Sequence, residues 1–152
     1  MRHNGGMAKP LFVLGFFLSC AWLGCAQVTV VDTGSTNVPG MNVKLENSSQ
    51  QAMVEPRGGS AQKITLAKEL CNRLMEDLKT AGPLNELPPV HCMKSVSFGT
   101  STFIEYNGVR SPDLSCHQTD PRTAALKRDA SDILTSAKTQ VPPTRRYRSV
   151  IQ

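Results

Sequence analysis

Thr102-Phe103-Ile104-Glu105-Tyr106-Asn107-Gly108-Val109-Arg110-Ser111 is the stretch on which the fold turns. Its first five residues are β-branched, aromatic or apolar at most positions and suit a pleated, half-buried surface. Asn107-Gly108 follows at once. Both residues tolerate positive φ, which a two-residue type I′ turn requires, so the pair predicts a tight hairpin. Val109 to Ser111 should return antiparallel, and Pro112-Asp113 should end the strand. On the upstream side Val96 and Phe98 form an apolar pair at strand spacing, with Gly99-Thr100 as a turn or bulge.

Outward from this hairpin, both flanks read as helices. Upstream, Ala67, Leu70, Cys71, Leu74, Met75 and Leu78 recur at three- and four-residue spacing, while Lys68, Glu69, Arg73, Glu76 and Lys79 fall largely on the other face. Gly82 supplies a C-terminal cap and Pro83 cannot continue the helix. Ser60 or Thr65 is the expected N-cap. Downstream, Asp120-Pro121 announces a second helix, with the aspartate accepting from free backbone amides and proline at the first helical position. Leu126, Ala130, Ile133, Leu134 and Ala137 then repeat at helical spacing, ending near Lys138. The expectation is a small two-layer α+β domain over residues 62–139, two amphipathic helices flanking a short antiparallel hairpin or sheet.

The residues before this core, 27–61, look like a flexible arm. From Thr33 to Ala61 the chain is rich in Gly, Ser, Asn, Gln and Pro. Val28, Val30 and Val31, then Met41, Val43 and Leu45, alternate well enough for two short strands around a Thr33–Gly40 loop. Residues 1–26 read as a signal peptide. Arg2 and Lys9 precede an apolar run from Leu11 to Leu18, and Gly24-Cys25-Ala26 is a small-x-Ala cleavage site. A membrane-spanning helix needs about 20 consecutive apolar residues, and this run is shorter and carries Gly15, Ser19 and Cys20. Gly24-Cys25 also resembles the end of a bacterial lipoprotein signal, although Trp22 and Leu23 depart from that pattern. Lipidation would then fall on Cys25. Either Met1 or Met7 can serve as the start.

Charge is informative once it is located. The chain holds 17 Lys and Arg against 12 Asp and Glu; removing Arg2 and Lys9 with the signal leaves 15 against 12, so a net +5 falls to +3. Arg145, Arg146 and Arg148 account for that remainder. Basic character thus belongs to a disordered tail, 140–152, and the folded part is close to neutral, which gives no reason to expect a nucleic-acid partner.

Of five cysteines, Cys20 and Cys25 fall in the signal segment, leaving Cys71, Cys92 and Cys116. Cys92 and Cys116 bracket the hairpin, and a bridge between them would close about 25 residues, worth roughly 3.5 kcal/mol in the chain-entropy treatment. Cys71 lies on the apolar face of the first helix, where a free thiol packs as a small hydrophobe; pairing Cys71 with either of the others is the alternative.

His91-Cys92 and Cys116-His117 could also converge as a metal or nucleophile constellation. Adjacent side chains in extended structure point to opposite faces and no Cys-x-x-Cys spacing is present, which argues against zinc. A Cys116 nucleophile served by His117 or His91, with Asp113 or Asp120 orienting it, can be drawn, but no cysteine-protease signature surrounds it. Neither Gly-x-Ser-x-Gly nor a Gly-x-x-x-x-Gly-Lys phosphate loop occurs. Glu76-Asp77 and Asp129-x-x-Asp132 read as parts of charged, solvated helix faces.

These readings lead to no enzyme, no cofactor and no metal. They point to an exported interaction or envelope-associated module, secreted or periplasmic, and held at a membrane only if Cys25 is lipidated. Its partner would be a protein or envelope component. The candidate contact is the loop carrying Arg110, Pro112 and Asp113, pinned by Cys116, because a braced loop loses less entropy on binding. Small protease inhibitors use a similar device, and a cysteine- or metal-dependent activity at His91-Cys92/Cys116-His117 is the other alternative. Asn47-Ser48-Ser49 is a glycosylation sequon, meaningful only in a eukaryotic secretory pathway.

Overall fold

The computed structural model describes residues 27–46 and 49–141. The signal peptide expected over residues 1–26, with Cys25, the first two residues of the sequon and the arginine-rich tail from 142 onward lie outside the described residues. Six strands, β1 (Val28–Asp32), β2 (Met41–Leu45), β3 (Gln51–Pro56), β4 (Gln62–Thr65), β5 (Thr102–Tyr106) and β6 (Val109–Arg110), form one antiparallel sheet in the order β4-β3-β2-β1-β5-β6. Two helices, α1 (Lys68–Ala81) and α2 (Pro121–Gln140), complete an α+β fold.

The arm expected over 27–61 therefore carries β1, β2 and β3, three of the six strands, and β1 sits between β2 and β5. A half-buried antiparallel strand needs an apolar residue only at every second position, so its composition looks like that of a polar linker. In β2, Met41, Val43 and Leu45 face inward while Asn42 and Lys44 face out. The register aligns Val54, Val43, Val30 and Ile104 in one row across the sheet, all 0% exposed. A second row runs Ile64, Ala52, Leu45 and Val28.

On this apolar face lie Leu74, Leu78 and Ala81 of α1 and Leu126, Ala130, Ile133, Leu134 and Ala137 of α2, in one cluster with the strand residues. Cys71 packs at its margin with Leu70 and Met75. α1 ends as its sequence requires, with Gly82 at φ 72°, a backbone region open to glycine. Its start does not: Ala67 is the cap residue and makes no side-chain cap bond, because Thr65 is committed to β4. α2 starts as expected, the Asp120 carboxylate accepting from the amides of Arg122 (2.9 Å) and Thr123 (3.1 Å).

At the hairpin, Asn107 (φ 52°) and Gly108 (φ 77°) form the tight turn joining β5 to β6. Strand alternation fails just upstream. Val96 and Phe98 lie in a turn rather than a strand, and both are exposed. The outer edge of the sheet is short at both ends, and at β4 the Gln140 side chain donates to the Thr65 carbonyl (3.0 Å) and accepts from its amide (3.4 Å). Such a clamp occupies backbone groups that would otherwise offer a template to another strand.

A braced apolar loop as candidate recognition site

The segment between Pro88 and Ser101 contains no strand or helix, yet it is tied to the body at several points. The first is covalent: Cys92 and Cys116 are joined, with their Cα atoms 5.7 Å apart. Cys116 is buried and follows Leu114, which is 0% exposed, so one end of the bridge is seated in the domain while Cys92 lies at the surface. The second is ionic. Lys94 pairs with Asp113 and donates to the Ser101 hydroxyl (2.7 Å).

A third tie comes from the β1–β2 loop. The Ser97 carbonyl accepts from the Asn37 amide (3.1 Å) and the Ser35 hydroxyl (2.8 Å). Ser101 exchanges bonds with Thr33, donating its amide to the Thr33 hydroxyl (3.0 Å) and accepting from the Thr33 amide (2.9 Å). That loop is itself anchored, since buried Asp32 accepts from the Gly34 amide (3.0 Å) and pairs with Lys138 of α2 (3.1 Å). Gly34 is at φ 63°, and a Cβ there would stand 2.3 Å from the Gly40 nitrogen, so the tight closure requires glycine. Within the tip, the Gly99 amide bonds the Ser95 carbonyl at 2.7 Å.

The result is a fixed backbone from which apolar side chains project. Met93 is fully exposed, Val96 88% and Phe98 66%. They are the exposed large hydrophobic side chains among the described residues, and they fall within six consecutive positions. Single exposed apolar residues are ordinary; a cluster rimmed by polar groups marks a contact surface. Here the polar neighbours along the chain are His91, Lys94, Ser95 and Ser97, and the Ser35–Asn37 loop is bonded to the same segment.

The segment singled out by sequence has a different place. Asp113 turns inward: its Oδ1 accepts from the Thr102 amide (3.2 Å), the Ser115 amide (3.0 Å) and the Ser115 hydroxyl (2.7 Å), and its Oδ2 meets Lys94. Burial opposes ionisation there, but Lys94 and Ser115 together outweigh it and hold the carboxyl well below the usual carboxylate range. Pro112 is half-buried, and Ser111, beside it, is buried with its hydroxyl accepting from the Ile104 amide (3.0 Å). Arg110 is exposed, paired with Glu105 (2.8 Å) and stacked 4.6 Å from the Phe103 ring centre. Of the three, Arg110 is exposed, Pro112 is half-buried and Asp113 is engaged by Lys94, Thr102 and Ser115. The 111–116 segment supports the tip, with the Lys127 ammonium donating to the carbonyls of Ser115 (3.2 Å) and Cys116 (2.7 Å) from beneath.

The second constellation is likewise reorganised. Cys92 and Cys116 share a bond, so neither presents a thiol in this form, and His91 and His117 are both exposed beside it. Among the described residues no three His, Cys, Asp or Glu side chains converge as metal ligands. Cys71 is the free thiol among them; burial pushes its pKa up, away from the reactive thiolate. An open groove of about 400 Å³ lies at the ends of β1, β2 and β3, lined by Val31, Asn42, Glu55 and Arg57 among others.

The fold and this loop define an α+β domain with a braced, apolar surface tip. Comparison with protein-family models, curated proteins and solved structures found no match to the chain.

Proposed function

We propose that this chain is an exported, non-catalytic interaction domain of two-layer α+β architecture that recognises a protein or envelope component through Met93, Val96 and Phe98. Export, whether to a periplasm, to the outside or to a lipid tether at Cys25, rests on residues 1–26. The single observation that supports the contact is the combination of exposed apolar side chains with a backbone held by a disulfide, an ion pair and a neighbouring loop. Apolar anchors supply most of the energy of an interface, and a loop ordered beforehand loses little entropy when it docks. Burying a Val or Phe side chain is worth about 1.5–3 kcal/mol each. The Arg110–Cys116 segment acts as the brace and the 93–98 tip as the contact.

Val96→Asp combined with Phe98→Asp should leave the unfolding midpoint unchanged, because neither side chain contributes to the core. It should weaken retention of partners from host envelope and culture fractions by about 100-fold, the equivalent of roughly 3 kcal/mol. Arg110→Ala should leave retention as it is. Partners held equally well by the aspartate variant would overturn the assignment of the tip.

A further inference from the structure

Between α1 and α2 lies a group of charges that plays no part in the tip. Asp129 is wholly buried and faces α1, although it was expected on a solvated face. Its Oδ1 accepts from Arg73 Nε at 2.6 Å, and Arg128 Nε stands 3.6 Å from the same oxygen. Its Oδ2 is buried with no hydrogen-bond partner among the described residues. The same Arg128 guanidinium donates to Asp77 Oδ2 at 3.0 Å, which brings the Asp77 carboxyl beside Asp129. Asp132 pairs with Arg73.

Two carboxyl groups thus lie against one guanidinium, that of Arg128, and the buried Oδ2 of Asp129 is left without a donor among the described residues. Three aspartates meet two guanidinium groups, which leaves one negative charge in excess if every acid is ionised. Among the described residues, the elements beneath the helices bring no compensating cation. Asp32 of β1 and Lys138 pair at the far end of α2, while Lys44 with Glu55 and Arg110 with Glu105 pair on the opposite face of the sheet. Lys127 on α2 is committed to carbonyl groups.

We propose that Asp129 keeps its proton in the folded chain, its Oδ2 hydroxyl donating to the Asp77 carboxylate across the helix interface, so that the two helices hold together best in mildly acidic solution. A buried polar atom without a partner carries a desolvation cost, and a proton converts this acceptor into the missing donor. Burial is the largest influence raising the Asp129 carboxyl above its ordinary range; Asp77 adds to it and Arg73 opposes it. The sign follows by linkage. The folded state keeps the proton more tightly than the unfolded chain, so this contribution is full below pH of about 4 and is lost as pH rises through the folded titration point.

Asp129→Asn imitates the protonated acid, its carbonyl still accepting from Arg73 and its amide donating to Asp77. Urea midpoints measured from pH 4 to 8 should show the native chain falling below Asp129→Asn as pH rises. Carboxyl-carbon NMR of the native chain should show Asp129 titrating above the ordinary aspartate range, and Asp77→Asn should move that titration to lower pH. Parallel stability curves, or titration of Asp129 within the ordinary range, would overturn the proposal. The NMR titration decides it even if the asparagine variant fails to fold.

Discussion

Replacing Cys92 and Cys116 together by alanine is expected to lower stability by about 3.5 kcal/mol, the chain-entropy value for a closed loop of about 25 residues. The bridge spans a sequence separation of 24 and joins the buried edge of the hairpin to an otherwise unstructured segment. A domain whose core rests on short strands and two helices has little stability in reserve, since small domains sit only about 5–15 kcal/mol above unfolding. Urea denaturation of the native and double-alanine chains measures the difference. The same change should loosen the tip, because Lys94, the Thr33–Ser101 pair and the Ser35–Asn37 contacts must then hold it without a covalent tie, and amide exchange at residues 93–99 should accelerate. Alkylation without reductant should modify Cys71 alone among Cys71, Cys92 and Cys116 in the native chain. Equal stability of the two chains would mean that the bridge constrains nothing the fold does not already constrain.

Asp113→Ala should cost about 3 kcal/mol, by leaving the Thr102 amide, the Ser115 amide and hydroxyl, and the Lys94 ammonium without their acceptor. These donors are only partly buried and recover some hydration, which keeps the cost below the sum of separate buried groups. Asp113→Asn retains one acceptor oxygen and loses the attraction to Lys94, so it should fall between the two. pH separates this site from the helix interface. The Asp113 carboxyl is held below its ordinary range, so the folded state binds its proton more weakly than the unfolded chain does. Its contribution is present above pH of about 4 and is lost as pH falls from there. Acid denaturation of Asp113→Asn should accordingly be shallower below pH 4 than that of the native chain, whereas Asp129 acts in the opposite direction above it.

What the sequence makes legible depends on whether the physics is local. Asn107-Gly108, Asp120-Pro121 and Gly82-Pro83 act through the backbone within a few residues, and each appears in the fold as its chemistry predicts. Cys92 and Cys116 bracket a hairpin, so their proximity follows from the turn between them. The rest is non-local. β3 holds Ala52, Met53 and Val54 in succession, and β4 contributes Ile64 as its apolar residue, so neither alternates clearly enough to announce a strand. Their strand character comes from pairing to β2 and to each other.

The tip inverts the same lesson. Ser95-Val96-Ser97-Phe98 alternates like a strand, but alternation promises burial only if a neighbouring strand is present, and β1 already has β2 and β5 on its two sides. Asp129 carries a readable signal of its own. It stands three residues after Leu126 and four before Ile133, on the apolar stripe of α2, where a charged residue needs a partner on the facing helix. Arg73 supplies it.

Photo-crosslinking in the host cell tests the recognition surface most directly, with the photoreactive residue placed at Val96 in one chain and at Thr29, on the open face of the sheet, in another. The account predicts a discrete adduct from position 96 that disappears when Phe98→Asp is added, and none from position 29. An adduct from position 29 alone, or one from position 96 that survives Phe98→Asp undiminished, would contradict it.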